Sequence, residues 1–170
     1  MGSVFPKFFG GFNNKVTYKG FDLGVFFIYS YGNKTWNQNE ALGEQGGTLG
    51  DNRVLMAGQL DRWTTPGQET MVPKLTAANY SYFEVSRFLE DASFIRLRSL
   101  TLGYTLPTRW SSAVKAEKIR FYFTATNLFL ITKYTGSDPE SNLGQGNLQG
   151  YDYDTPPQPR TIQFGLNLTL

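Results

Sequence analysis

Strict alternation is the feature that most limits what this chain can fold into. In its last eight residues, QFGLNLTL, Phe164, Leu166, Leu168 and Leu170 are apolar, while Gln163, Gly165, Asn167 and Thr169 are polar or lack a side chain. Side chains on a strand point to opposite faces in turn, so these residues describe a strand with one oily face and one wet face. Such a strand suits a half-buried soluble sheet or the wall of a membrane barrel. The rest of the chain has to decide between them.

A hairpin near the start repeats the pattern. FFGGFNNKVTY (Phe8–Tyr18) and FDLGVFFIYSY (Phe21–Tyr31) flank Lys19-Gly20, a two-residue turn whose glycine suits a left-handed position. Tight pairing sets Tyr18 opposite Phe21, Val16 opposite Leu23, Asn14 opposite Val25, Phe12 opposite Phe27, Gly10 opposite Tyr29 and Phe8 opposite Tyr31. Nearly all the apolar bulk then lies on one face. Along that face of the second strand aliphatics sit between aromatic ends, as on a lipid-facing strand, although a half-buried soluble hairpin accounts for these residues equally well. Phe26 and Ile28 point to the other face and are the exception.

Three further strands are expected, about 93–106 (within SFIRLRSLTLGYTLP), 119–130 (IRFYFTATNLFL) and 160–170. In the first of these Ile95 and Leu97 share one phase and Leu100, Leu102 and Tyr104 the other, so a bulge is expected near Arg98-Ser99. The connections run short, long, short, long. Lys19-Gly20 and TRWSSAVKAEK, with one helical turn, are the short ones; about 32–91, with a short helix within 53–63, and about 131–158 are the long ones. Connections so long are rare in compact soluble domains, whereas outer-membrane barrels combine long external loops with short periplasmic turns.

Composition narrows the chemistry. Of 170 residues 16% are aromatic and only 18% charged, and the formal net charge of +2 gives no reason to expect nucleic acid. There is no cysteine and no histidine, which removes thiol chemistry and the commonest general base and metal ligand, so an enzyme is the least expected reading. No apolar run approaches the roughly 20 residues of a spanning helix, but a spanning strand needs only about 9–11 residues and can be half polar.

Candidate sites are few. Gly43, Gly46, Gly47 and Gly50 lack the strand and the Gly-Lys-Ser/Thr that a phosphate loop requires, so they read as loop. Asp138, Glu140, Asp152 and Asp154 have no EF-hand spacing and read as solvated loop carboxylates. Neither cofactor nor metal is expected. Trp36, Trp63, Tyr80, Tyr82, Tyr134, Tyr151 and Tyr153 lie in or beside the long loops, where exposed rings stack on sugars or anchor a protein partner.

FPKFFGGFNNKVTYKGFDLGVFFIYSYGN, RFLEDASFIRLRSLTLGYTLP (Arg87–Pro107), TNLFLITKYTGSDPE (Thr126–Glu140) and PQPRTIQFGLNLTL (Pro157–Leu170) resemble, in this order, the late barrel region of the SusC/RagA family of TonB-linked outer-membrane proteins. Residues 37–86 match only loosely. The resemblance implies an all-β fold, an antiparallel up-and-down meander of about five strands forming the C-terminal part of a barrel of about 22 strands. All of 1–170 would be barrel, with the plug and N-terminal domains absent. Alone, such an open sheet is expected to aggregate or to need detergent.

The last residues also resemble the signal by which the barrel-assembly machinery reads a closing strand. Gln163, Gly165, Leu168 and Leu170 fill it, with Leu170 in place of the usual aromatic. The family implies a TonB-dependent importer of oligosaccharides, possibly peptides, in the Gram-negative outer membrane. It would work with a SusD-type lipoprotein and be energised by the TonB complex through the missing plug. Trp36, Trp63, Tyr80, Tyr134, Tyr151 and Tyr153 would then be contacts for substrate or lipoprotein. The alternative is a soluble or surface-exposed β-domain binding glycans through its loop aromatics. A passive porin is disfavoured because the motifs match importers. Leu23, Val25, Phe121, Phe123, Leu166 and Leu168 discriminate: a barrel wall exposes them in one band, whereas a soluble domain covers them.

Overall fold

The computed structural model describes residues 2–44, 55–74, 85–140 and 149–170. The chain divides into two units, one formed by 6–32, 93–133 and 157–170, the other by 1–5, 33–92 and 134–156.

The first unit is a meander. Strands β1 (Phe8–Tyr18) and β2 (Phe21–Tyr31) are followed, after residues of the second unit, by β5 (Phe94–Thr105), β6 (Lys118–Thr126), β7 (Leu130–Thr132) and β9 (Thr161–Thr169). The order across the sheet is β1-β2-β5-β6-β9, all antiparallel, with β7 also on β5. The first hairpin has the register that its sequence suggests, from Tyr18↔Phe21 to Phe8↔Tyr31. Its turn places Lys19 at φ 46° and Gly20 at φ 87°, the paired left-handed geometry whose twist matches that of the flanking strands. The other short connection carries helix α2 (Thr108–Ala113). The two short connections share one end of the sheet, since the Thr105 N–H donates to the Gly20 carbonyl at 2.8 Å and Glu117 N–H to Thr169 O at 2.8 Å.

The register slips where the hydrophobic phase changes. Phe26 pairs with Ser99 but Phe27 with Leu97, leaving Arg98 as the extra residue of a bulge. The strand expected over 119–130 is accordingly not continuous. Ser99 pairs with Thr126 and Arg96 with Leu130, so the next strand answers with a surplus residue of its own. Asn127 takes it at φ 51°, a left-handed conformation that Asn tolerates better than most, and its N–H donates to Arg98 O at 3.1 Å. The dislocation therefore crosses two strand pairs in succession.

The second unit is built from the connections expected to be loops, and it has secondary structure of its own. Strands β3 (Lys34–Asn37), β4 (Leu89–Asp91) and β8 (Tyr151–Asp152) form a small sheet in the order β4-β3-β8. The β3–β4 pair is antiparallel, and β8 runs parallel to β3. Helix α1 (Gln38–Glu44) continues directly from β3, with 3-10 turns at Ala57–Asp61 and Ser86–Phe88. This pairing escaped the sequence reading because the strands are two to four residues long and join two connections far apart in the chain. Periodicity needs a longer run than that. Phe88 and Ala41 form its apolar centre, and the Phe88 ring meets Trp36 edge-on at 5.9 Å.

Candidate functional site

The meander has two contrasting faces. Strand partners share a face, so the register itself assembles rows: Val16, Leu23, Leu102, Phe123 and Phe164 form one, and Tyr18, Phe21, Tyr104, Phe121 and Leu166 the next. Leu23, Phe121, Leu166 and Leu168 are exposed, Phe164 to 80%, while Val25 and Phe123 are half-exposed between them. A water-borne domain would have to cover such a belt, since exposed apolar patches this continuous are rare on soluble monomers. The band that separates wall from soluble domain is therefore uncovered.

The opposite face is polar. Thr17, Asp22, Gly103, Tyr122 and Gly165 form one row there, and Lys15, Gly24, Thr101, Thr124 and Gln163 the next. Arg120 on β6 makes a bidentate ion pair with Asp22 on β2, Nε to Oδ1 at 2.9 Å and Nη2 to Oδ2 at 2.6 Å, spanning β5 between them. A hollow of about 300 Å³ beside the pair is lined by Lys15, Gly24, Thr101 and Ser99 among others. Phe26, out of place on this face, lies against Gly11 of β1, where an added Cβ would meet its ring at 2.8 Å.

Glycines on the two outermost strands act as sockets. At Gly165, one of the residues of the expected assembly signal, a Cβ would overlap the Tyr122 ring, and at Gly10 it would meet the Tyr29 hydroxyl at 2.7 Å. Gln163 and Leu168 are exposed at their places in β9, and Leu170 lies just beyond it.

The loop aromatics divide. Tyr134 is buried, its hydroxyl donating to Asp152 Oδ2 at 2.7 Å, so it is packing rather than contact surface. Trp36 and Tyr151 are register partners in the small sheet, and the Trp36 indole N–H donates to Gln38 Oε1 at 2.8 Å. Tyr153 is exposed, and the Lys74 ammonium sits 5.9 Å from the Trp63 ring. Tyr80 and Tyr82, like Gly46, Gly47 and Gly50, lie outside the described residues; Gly43 is buried against Met56.

The carboxylates expected to be solvated are in part buried. Asp138 and Asp152 are 1% and 0% exposed, and Asp138 Oδ1 accepts the Glu140 N–H at 2.9 Å. Burial raises Asp152 above its usual range, with the Tyr134 hydroxyl working against the shift. Among the described residues no three acidic side chains converge as metal ligands. Sequence reading missed a different cluster, Glu40 on α1 and Glu90 on β4 with Asn37 and Thr135, because residues 40, 90 and 135 are brought together only by the small sheet. The Asn37 amide donates to Glu90 Oε1 at 2.8 Å, the Thr135 N–H to Glu90 Oε2 at 2.8 Å and the Thr135 hydroxyl to Glu90 Oε1 at 2.7 Å.

Known proteins share both the sequence and this architecture. TonB-dependent receptor P3 of Formosa agariphila is 33% identical over 99% of this chain, and TonB-dependent receptor P26 of the same organism 32% identical over 99%. TonB-dependent receptor SusC of Bacteroides thetaiotaomicron is 38% identical over 49% of the chain. The solved RagAB peptide transporter superimposes at TM-score 0.82 with 32% identity over 98% of the chain. This chain belongs to the SusC/RagA family of TonB-linked outer-membrane proteins. It is a segment of the family's barrel, spanning 17% of the length of the two Formosa receptors and 17% of that solved chain. No family model matches the chain.

Proposed function

We propose that these 170 residues are wall and external-loop structure of a TonB-dependent outer-membrane importer for large nutrients. The observation that carries this reading is the exposed apolar belt formed by Leu23, Leu102, Phe121, Leu166 and Leu168 on one face of a sheet whose other face is polar. Lipid on one side and an aqueous or protein-filled lumen on the other is the environment that such a division suits. The sheet also ends laterally in β1 and β9, whose outward N–H and C=O groups need neighbouring strands in hydrocarbon, where each unpaired group costs several kcal/mol.

Kinship with a peptide importer and with SusC supports oligosaccharide or peptide cargo, a SusD-type lipoprotein over the external side and energy delivered by TonB through a plug carried elsewhere in the protein. In this reading Trp36, Trp63, Tyr151 and Tyr153 are the loop rings that meet cargo or lipoprotein. Gln163, Gly165, Leu168 and Leu170 serve the assembly machinery in this reading. The test is cysteine scanning of the intact protein in outer-membrane vesicles, with any cysteine outside these residues replaced, since these 170 residues contain none. Cysteines at Leu102, Phe121 and Leu166 should react with a membrane-dissolved maleimide and resist a water-soluble one, and those at Thr101 and Thr124 should not react with the former. Equal aqueous labelling of both sets would sink the membrane reading. TonB-dependent uptake of labelled oligosaccharide or peptide then distinguishes importer from passive pore.

A further inference from the structure

We infer that Glu40 and Glu90 form a proton-held clasp that ties helix α1 and strand β4 of the loop unit to the Thr135 segment and opens when the proton leaves. The donors are too few for two carboxylates. The single hydrogen of the Thr135 hydroxyl is claimed by Glu90 Oε1 at 2.7 Å and by Glu40 Oε2 at 3.2 Å. The Asn37 amide serves the same two oxygens, at 2.8 Å to Glu90 and 3.3 Å to Glu40. Sharing two donors brings Glu40 Oε2 and Glu90 Oε1 close together, where two ionised carboxylates would repel and one added proton relieves the conflict. No Lys or Arg of the described residues pairs with either: the nearby Arg87 guanidinium is taken by Glu44.

The proton belongs on Glu40. Burial and then the Glu90 carboxylate push Glu40 up to about 7. Burial works against ionised Glu90 too, but the Thr135 N–H, the Asn37 amide and the Thr135 hydroxyl outweigh it and hold Glu90 below its ordinary value. The other charged or titratable groups around the pair do not compensate a second charge. On α1 stands Glu44; on β8 Asp152, bonded to the buried Tyr134 phenol; on the segment after β7 Asp138 and Glu140; beyond β8 Asp154, whose N–H meets Asn39. Lys34 and Asp91 face each other in the next row of the β3–β4 pair. Because Glu40 titrates higher folded than unfolded, the clasp is complete below its ordinary value of 4.5 and is lost as pH rises through about 7. Asn37 follows Trp36 on β3, and the two pair with Asp152 and Tyr151, so opening loosens the end of the sheet that carries Trp36 and Tyr151.

Hydrogen exchange by mass spectrometry on the intact protein in detergent reads this directly, with labelling times scaled for intrinsic chemistry from mildly acidic to mildly alkaline pH. Peptides covering 34–44 and 134–140 should lose protection with a midpoint near 7. Glu40→Gln should remain protected throughout, and Asp154→Asn should keep the wild-type transition. Glu90→Gln should move the midpoint toward the ordinary glutamate value of 4.5. A wild-type protein without a transition, a Glu40→Gln protein that keeps it, or a Glu90→Gln midpoint that does not move each overturns the clasp; if Glu40→Gln fails to fold, the Glu90→Gln midpoint decides alone. The readout is the loop unit itself rather than uptake, so the clasp and the importer reading fail separately.

Discussion

Asp22 and Arg120 close their ion pair directly over Gly103, on the strand that separates them. A Cβ at Gly103 would collide with both the carboxylate and the guanidinium. Gly103→Ala is therefore expected to break or displace the pair while leaving the strand in place, since the atoms in the way are the free ends of flexible side chains. With both side chains about four-fifths buried (relative exposure 21% and 18%), the loss should be about 1–2 kcal/mol, between that of a surface pair and a buried one. Urea unfolding of the refolded barrel measures it, and in an Asp22→Asn background the same change should cost clearly less.

Gly165 and Tyr122 allow the socket and the assembly signal to be told apart. Gly165→Ala forces the Tyr122 ring off β9 and is expected to lower stability by about 1–3 kcal/mol, as overpacking does. If the socket is what matters, Tyr122→Ala should restore most of the folded, heat-modifiable band in Gly165→Ala. Recognition by the assembly machinery alone predicts no rescue.

Tyr134→Phe removes the hydroxyl that donates to buried Asp152. Burial raises Asp152, so its stabilising form is the neutral one, present in full below its ordinary value of 3.8 and lost as pH rises through the folded-state value. Deleting the donor hurts the ionised form most. The variant should therefore melt lower than wild type by roughly 1.5–3 kcal/mol at neutral pH, with a smaller deficit in acid. A deficit independent of pH would place the loss in packing instead.

Adjacent residues of β5 give the sharpest contrast between faces. Leu102→Arg sets a cation in the apolar belt and is expected to cost about 2–4 kcal/mol if it lies near mid-bilayer, with reduced yield of assembled protein. Thr101→Arg points to the polar face and should cost under about 1 kcal/mol. Folding titrations in lipid vesicles compare the two.

How much of this was legible follows from the length of each signal. The hairpin over Phe8–Tyr31 and the bulge near Arg98 could be read because eleven or twelve residues with period two fix both face and register. The break at Asn127 could not, because it answers a surplus residue on another strand rather than anything in its own sequence. The small β4-β3-β8 sheet and the Glu40–Glu90 cluster were hidden for a related reason: residues separated by 45 to 115 positions meet there, and each local segment looks like polar loop. Burial of Tyr134 and Asp152 likewise depends on what folds over them, which composition does not record.

The sockets at Gly10 and Gly165 have a bearing on how mistakes are avoided. Both lie on border strands, each filled by an aromatic ring from the neighbour further in, and they open on opposite faces. Sliding β9 by two positions in either direction would keep Ile119, Phe121 and Phe123 opposite apolar partners yet bring Asn167 or Gln163 under the Tyr122 ring. A staggered mismatch that hydrophobicity cannot detect thus meets a steric veto at the strand bordering the sheet.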